Sequence, residues 1–194
     1  MTLQGLFWLA ARITGLSAAG VIGATFLAGI ALRNSLFSEW LHLRELATIH
    51  RFLTWCWAPL IGLHVGLVLL DPVSRVTPLD VLLPFRVSYA SLPIGLGTLA
   101  FDLLLLTTAT SYMRGLLGRT TWRRLHRLTY PLLILIFLHA LLAGTDLARP
   151  LVRALYVAIA TFTLVMAAAR FAFGRLATGA DRSVRAERDS VGRR

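Results

Sequence analysis

The residues of this sequence that are best suited to bind a metal are its histidines. His50 and His64 lie 14 residues apart in one apolar segment, and His126 and His139 lie 13 residues apart in another. Neutral imidazole is the commonest metal ligand in proteins. On a helix these spacings separate the two members of each pair by about 21 and 20 Å, so one ion cannot bind both members. We therefore expect the histidines to act across helices rather than along one helix.

The segments that carry these histidines belong to a set of five apolar stretches. The chain has 194 residues, of which 57% are hydrophobic and only 15% are charged, and each stretch approaches the length of about 20 apolar residues that crosses a bilayer core. The stretches are Leu6–Leu32, Ala47–Leu70, Leu92–Met113, Leu125–Gly144 and Pro150–Phe173. The pattern predicts an all-α integral membrane protein, a bundle of five transmembrane helices, and excludes a disordered chain, a secreted disulfide scaffold and a soluble enzyme.

Arginines predict the orientation of this bundle. The formal net charge is +11, all 20 basic residues are arginine, and most of them lie in short loops between the stretches or after the fifth stretch. Basic loops stay cytoplasmic, so we expect the N-terminus and the loop Asp71–Ser91 outside and the C-terminus in the cytoplasm. The predicted location is the inner or cytoplasmic membrane, with lipid and not nucleic acid as the surroundings. We assign residues 1–173 to the transmembrane domain and residues 174–194 to a basic, disordered cytoplasmic tail.

The order of the helices pairs the histidines by depth. One crossing separates the second predicted helix from the fourth, so these two helices run parallel. His50 then lies level with His126 near the cytoplasm, and His64 lies level with His139 near the outside. Two facing imidazoles at each of two levels match the ligands of two stacked b-type haems. A haem ligated on both faces carries electrons, because it has no open position for a substrate.

Helix geometry raises one difficulty for this pairing. Steps of about 100° bring His64 within about 40° of the direction of His50, but leave His139 about 140° away from the direction of His126. Pro131 lies five residues after His126 and removes a helical hydrogen bond, so it predicts a kink that brings these two side chains to one side.

Two segments of the chain carry a family resemblance. Both resemble the ferric-reductase-like transmembrane domain, and their sequences are ATIHRFLTWCWAPLIGLHVGLVLLD and WRRLHRLTYPLLILIFLHALLAGTD. The resemblance covers roughly Leu9–Leu142. This superfamily includes ferric-chelate reductases, NADPH oxidases and the haem-binding membrane subunit of bacterial methionine sulfoxide reductase systems. The resemblance implies that His50 and His126 hold the iron of an inner haem b, and that His64 and His139 hold the iron of an outer one.

The same resemblance implies transmembrane electron transfer from a cytoplasmic flavoprotein or quinol to an extracytoplasmic acceptor, such as a ferric chelate, oxygen or a periplasmic reductase. The flavin and nicotinamide region of the oxidases has no counterpart in this sequence, so we expect a separate flavoprotein reductase or the quinone pool as partner, with a flavin or quinone at that interface. Family members commonly have six spans, whereas we count five. Two alternatives stay open: a quinol-linked cytochrome b subunit of a hydrogenase- or dehydrogenase-type complex, and a haem-free membrane transporter or assembly protein.

Several charged and aromatic residues complete the set of candidates. Arginines that could bind haem propionates through paired hydrogen bonds are Arg12, Arg51, Arg123, Arg124 and Arg127. Contact with lipid headgroups and loop topology also account for them. Asp102 lies mid-span, where a proton relay and a hydrogen bond to a nearby hydroxyl are both open. His42 is interpreted as a non-ligand, and Trp57 and Phe137 are candidates to line the space between the haems.

Overall fold

The computed structural model describes residues 3–32 and 43–191, and the regular structure in these residues is helical throughout. In chain order the α-helices are α1 (Leu3–Ala31), α2 (Leu43–Leu70), α3 (Pro78–Leu82), α4 (Ser91–Tyr112), α5 (Arg114–His126), α6 (Thr129–Ala143) and α7 (Pro150–Val191), with a short 3₁₀ helix, Thr145–Ala148, before α7.

The number of membrane-spanning segments agrees with the sequence. Four segments are long and apolar enough to cross a bilayer, namely α1, α2, α4 and the part of α7 from Pro150 to Arg170. The pair α5 and α6, bent by 44°, forms a fifth if it is counted as one span. The prediction of an all-α bundle of membrane helices is therefore confirmed.

The bend between α5 and α6 lies where Pro131 requires it. Without a backbone N–H, Pro131 cannot bond to the carbonyl of Arg127, four residues earlier. That carbonyl instead accepts a hydrogen bond from the N–H of Tyr130, and Leu128 bonds back to Leu125 in the same three-residue pattern. The proline thus tightens the chain at residues 127–128 and separates the helix that carries His126 from the helix that carries His139.

The helices pack as two pairs. α1 packs along α2, and α4 packs along α6, while α1 also contacts α6 and α7. A buried cluster joins the two pairs and consists of Ile22, Trp57, Ala100, Leu104 and Leu132. Trp57 lies midway along α2 between His50 and His64, and its role in lining the space between two haems stays a prediction. Phe137 instead packs with Leu133 and Ala160 on the side of α7.

The two ends of the bundle differ. One end, called here the Arg12 end, carries the start of α1, the end of α2, α3, the start of α4 and the end of α6. The other end, called here the α5 end, carries the opposite termini of these helices and the arginines of α5. The N-terminus and the loop after α2 therefore lie at one end of the bundle, in agreement with the predicted topology.

The loop after α2 is held to α4 by Asp80. The backbone N–H and the hydroxyl of Thr77 both donate to the Asp80 carboxylate, at 2.9 and 2.5 Å, and Arg86 donates to it at 3.3 Å. The hydrogen bonds from Thr77 contribute most and that from Arg86 contributes less, and together they hold the pKa of Asp80 below its ordinary value. The hydroxyl of Thr98 on α4 donates to the Asp80 carbonyl. A five-residue helix held in this way caps the bundle and is too short to cross it.

α7 extends beyond the segment that crosses the membrane. The helix continues to Val191, so the backbone of residues 174–191 is helical where the composition predicts disorder. The segment has no proline, and its alanine, arginine and glutamate residues favour helix over coil. The proposed division of the chain at residues 173 and 174 stays a prediction, since no helix end marks it.

Tyr156 provides a test of how α7 is attached. Its hydroxyl donates to the carbonyl of Phe137 on α6 at 2.9 Å. The substitution Tyr156→Phe removes this interhelical bond, and we expect the free energy of unfolding in detergent to fall by about 1 kcal/mol. Tyr89→Phe is the matched control, because Tyr89 is 64% exposed in the loop before α4. An equal loss of stability in both variants would contradict the assignment.

Candidate metal centre

His64 on α2 and His139 on α6 face each other across the two helix pairs. Their ring centres are 6.3 Å apart and the ring planes are inclined by 79°. An imidazole nitrogen binds a metal at about 2 Å and the ring centre lies about 1 Å behind it, so two imidazoles on opposite sides of one metal have ring centres about 6 Å apart. The observed separation therefore fits a single metal between the two rings.

The helix α1 orients both histidines of α2. Nδ1 of His64 lies 2.8 Å from the carbonyl oxygen of Ala11, and Nδ1 of His50 lies 2.9 Å from that of Thr25. The two acceptors are 14 residues apart, like the two histidines, and they occur in reverse order because α1 and α2 are antiparallel. The prediction that His50 and His64 share a face of α2 is confirmed by this register.

His139 is oriented in the same way by α4. Its Nδ1 lies 2.7 Å from the carbonyl oxygen of Pro93. A carbonyl oxygen only accepts, so Nδ1 must carry the proton in His50, His64 and His139. The other nitrogen, Nε2, then keeps its lone pair and is available to a metal. Second-shell bonds of this kind fix the tautomer and orientation of metal-binding histidines.

A glycine four residues after each acceptor makes room for the ring. A Cβ atom on Gly15 would lie 2.8 Å from His64, one on Gly97 would lie 2.6 Å from His139, and one on Gly29 would lie 3.3 Å from His50. Residues i and i+4 are neighbours on a helix surface, so the missing side chain lets the imidazole reach the carbonyl of residue i. We call this pairing of a carbonyl with a glycine the acceptor–glycine recess.

His126 has different surroundings. Its Nδ1 lies 3.4 Å from the hydroxyl oxygen of Ser111, and that hydroxyl donates its own proton to the carbonyl of Thr107 at 2.7 Å. Trp122 also donates to Ser111 and stacks on the His126 ring, with ring centres 5.2 Å apart. The Arg114 guanidinium lies 5.0 Å from the Trp122 ring. The imidazole of His126 thus has a long hydrogen bond to a side chain and a stacked indole ring beside it.

Ring geometry supports one of the two predicted histidine pairs. His64 and His139 face each other with their ring centres 6.3 Å apart, whereas the pairing of His50 with His126 stays a prediction that rests on their order along α2 and α5. Among residues 3–32 and 43–191, no three His, Cys, Asp or Glu side chains converge as a metal site. A metal between His64 and His139 would therefore have two protein ligands and would need its remaining ligands from another source.

Arg12 has a partner that the sequence does not reveal. It binds Asp146, in the 3₁₀ helix before α7, and its Nε donates to the carboxylate at 2.7 Å while a terminal nitrogen binds the second oxygen. The sequence suggests a haem propionate or lipid headgroups as its partner. The pair joins residues that are far apart in the chain. The sequence offers one sign of this contact, which is that both residues are predicted at the same end of the bundle.

The other arginines divide into exposed and buried groups. Arg51, Arg124 and Arg127 are exposed, and their contact with propionates stays a prediction. Arg123 is closer to the interior, and its Nε is buried without a hydrogen-bond partner in the described part of the chain. A buried unpaired donor is costly, so the structure favours Arg123 as the arginine able to receive an anion at the α5 end.

Asp102 does not have the hydroxyl partner that the sequence suggests. Within the described part of the chain its carboxyl has neither a hydrogen bond nor an ion pair, because the nearest threonines on α4 are engaged elsewhere. Thr98 donates to the carbonyl of Asp80, and Thr107 donates to that of Leu103. The prediction for His42 falls outside the described residues.

The acceptor–glycine recess is tested by adding a methyl group to it. Gly15→Ala and Gly97→Ala are each expected to displace one imidazole, and, for the two haems that the family resemblance implies, to lower the haem-to-protein ratio of the purified chain from two toward one. Gly20→Ala and Gly66→Ala are matched controls, because a Cβ there meets no atom within 4 Å. A visible spectrum of each purified variant measures the ratio, and full haem content in both recess variants would show that the recess is unnecessary.

Ser111 offers a separate test of His126. A hydrogen bond from Nδ1 makes imidazole a stronger donor to iron and stabilises the ferric state. Ser111→Ala removes this acceptor, so we expect a modest rise in the midpoint potential of one haem and no change in the other. Thr110→Ala is the control, because the Thr110 hydroxyl bonds only to carbonyls of its own helix. Redox titration that finds both potentials unchanged would contradict the assignment.

Comparison with known proteins agrees with this geometry. No curated protein and no solved structure matches the chain. The profile of the family described as ferric reductase like transmembrane component matches residues 14–137, well over half of the chain. The matched region contains His50, His64 and His126 and ends two residues before His139. The chain therefore belongs to the family of ferric reductase like transmembrane components.

Proposed function

We propose that this chain is a di-haem b cytochrome that carries electrons across the membrane. The observation that carries the proposal is the His64–His139 pair, whose ring centres are 6.3 Å apart and whose Nδ1 atoms are both bonded to backbone carbonyls. The family is one of transmembrane redox components, so membrane electron transfer is the general activity. The haems, their ligands, the donor and the direction are the proposal.

The residues present suit haem b better than a free metal ion. A haem brings four equatorial nitrogens and needs only two axial ligands, which is the number that His64 and His139 supply. His50 and His126 would hold the second haem at the other level. When bound, the two haems would supply one-electron iron chemistry with no coordination site left for a substrate.

The histidine levels lie at suitable depths for electron transfer across a bilayer. His50 and His64 are separated by about 21 Å along α2, within a hydrocarbon core about 30 Å thick. Trp57 is buried seven residues from each of them, so the interior between the levels is filled by an aromatic ring and not by solvent. The chain itself then provides a dry, rigid separation between the two sites.

Charge supports an orientation of the chain in the membrane, and the direction of the electrons is inferred from the family and from the cytoplasmic location of reducing cofactors. The segment from Arg114 to Arg127 has five arginines and no acidic residue, and basic loops stay cytoplasmic. The α5 end is therefore the proposed cytoplasmic side of an inner or cytoplasmic membrane, and the level of His50 and His126 receives electrons from a flavoprotein reductase or a quinol. The level of His64 and His139 would deliver them to a ferric chelate, oxygen or a periplasmic reductase.

The decisive experiment is the visible spectrum and haem-to-protein ratio of the purified chain with single histidine variants. We expect two low-spin b haems per chain, and a ratio near one in His64→Ala, His139→Ala, His50→Ala and His126→Ala, because each removes one axial ligand. His42→Ala is the control and should keep two haems. Well-folded protein without haem would overturn the proposal and favour a transporter or assembly protein, whereas a ratio of one in the unaltered chain would limit it to the His64–His139 level.

A further inference from the structure

The Arg12–Asp146 ion pair joins two elements that are far apart in the sequence. Arg12 offers two nitrogens to both carboxylate oxygens of Asp146, and the two side chains are only 24% and 22% exposed. Paired bonds of this kind fix orientation as well as distance, since the guanidinium fork is rigid and planar. The contact is therefore a directional link rather than a loose surface attraction.

Each end of this ion pair is next to an element that holds a histidine of the same level. Arg12 directly follows Ala11, whose carbonyl accepts the hydrogen bond from His64. Asp146 lies in the 3₁₀ helix that follows α6, seven residues after His139. Leu147, beside Asp146, is buried at 4% exposure and anchors that helix. A movement of either partner is thus transmitted to one imidazole of the His64–His139 pair.

The separation of these two imidazoles needs such a link. His64 is oriented by α1 and His139 by α4, and these helices belong to different packed pairs. The apolar cluster around Trp57 joins the pairs at mid-depth, about 10 Å along α2 from His64. At the Arg12 end the ion pair ties α1 directly to the 3₁₀ helix that follows α6, in addition to the packing of α1 against α6.

The second ion pair of the described residues provides a contrast. Arg86 and Asp80 lie within one loop, and the Arg86 side chain is 50% exposed. This pair is near the same end of the bundle, and the hydrogen bonds of Asp80 join Thr77, Arg86 and Thr98 of α4 rather than α1 to the segment after α6. Its removal changes a charge at that end without cutting a connection between the two helix pairs.

We propose that Arg12 and Asp146 are positioning residues that set the distance and angle between the His64 and His139 rings. The role deepens the proposed function and rests on it where the group held by these rings is concerned. The 79° inclination of the ring planes gives the proposal a spectroscopic signature. Electron paramagnetic resonance of low-spin ferric haem depends on the angle between its axial imidazoles, so a shifted ring shifts the signal of that haem.

The first experiment compares Arg12→Ala, Asp146→Asn and the exchanged pair Arg12→Asp with Asp146→Arg in the purified chain. We expect two haems in every variant, a shifted resonance signal and midpoint potential for one haem in the single variants, and partial return toward the original signal in the exchanged pair. Arg86→Ala is the control and should change neither haem. Unchanged signals in both single variants, equal changes in both haems, or the same change in Arg86→Ala would overturn the proposal.

A second experiment tests the connection between α1 and α6 without relying on a haem signal. Spin labels on Leu6 of α1 and Leu142 of α6, both about half exposed, report the distance between these helices once the native Cys56 is replaced by serine. We expect Asp146→Asn to broaden or shift this distance and Arg86→Ala to leave it unchanged. If the chain binds no haem, the proposed function fails while this measurement still decides the link, and an unaltered distance in Asp146→Asn overturns it.

Discussion

The structure depends on one repeated interaction, a hydrogen bond from an imidazole Nδ1 to a backbone carbonyl of the neighbouring helix. It occurs at His50, His64 and His139. Each bond settles the tautomer, aims Nε2 away from the acceptor helix and gives a polar group a partner at membrane depth, where an unpaired one is costly. The packing of the helices consequently determines the geometry of the ligands, because a movement of α1 or α4 also moves the imidazole rings.

Much of this arrangement follows from residue type and spacing. The apolar stretches predict the spans, the 14-residue interval predicts a shared face for His50 and His64, and Pro131 predicts the bend between α5 and α6. These features are local, so period, length and the chemistry of single residues are enough to find them. The continuation of helix through residues 174–191 was not predicted, because composition alone separates a charged helix poorly from a charged coil.

The parts that sequence did not reveal depend on contacts between distant segments. The sequence identifies Gly15 as a small residue that lets helices approach. It does not identify the His64 ring as the group that approaches, because that contact depends on the register of α1 against α2. Arg12 and Asp146 meet across nearly the whole chain, and each has an ordinary alternative in lipid headgroups. Every residue has a backbone carbonyl, so the sequence does not distinguish the acceptors Ala11, Thr25 and Pro93, and only the structure identifies them.

The shared register of α1 and α2 has an evolutionary consequence. Because Ala11 and Thr25 hold histidines of different levels, the number of residues between them is constrained, whereas most of the intervening side chains, apart from Arg12, Gly15 and the buried Ile22, do not need a particular identity. One inserted or deleted residue there turns the rest of α1 by about 100° and moves one carbonyl away from its imidazole. Substitutions can accumulate in this stretch while its length stays constant, so descendants of this sequence would vary in composition and agree in spacing.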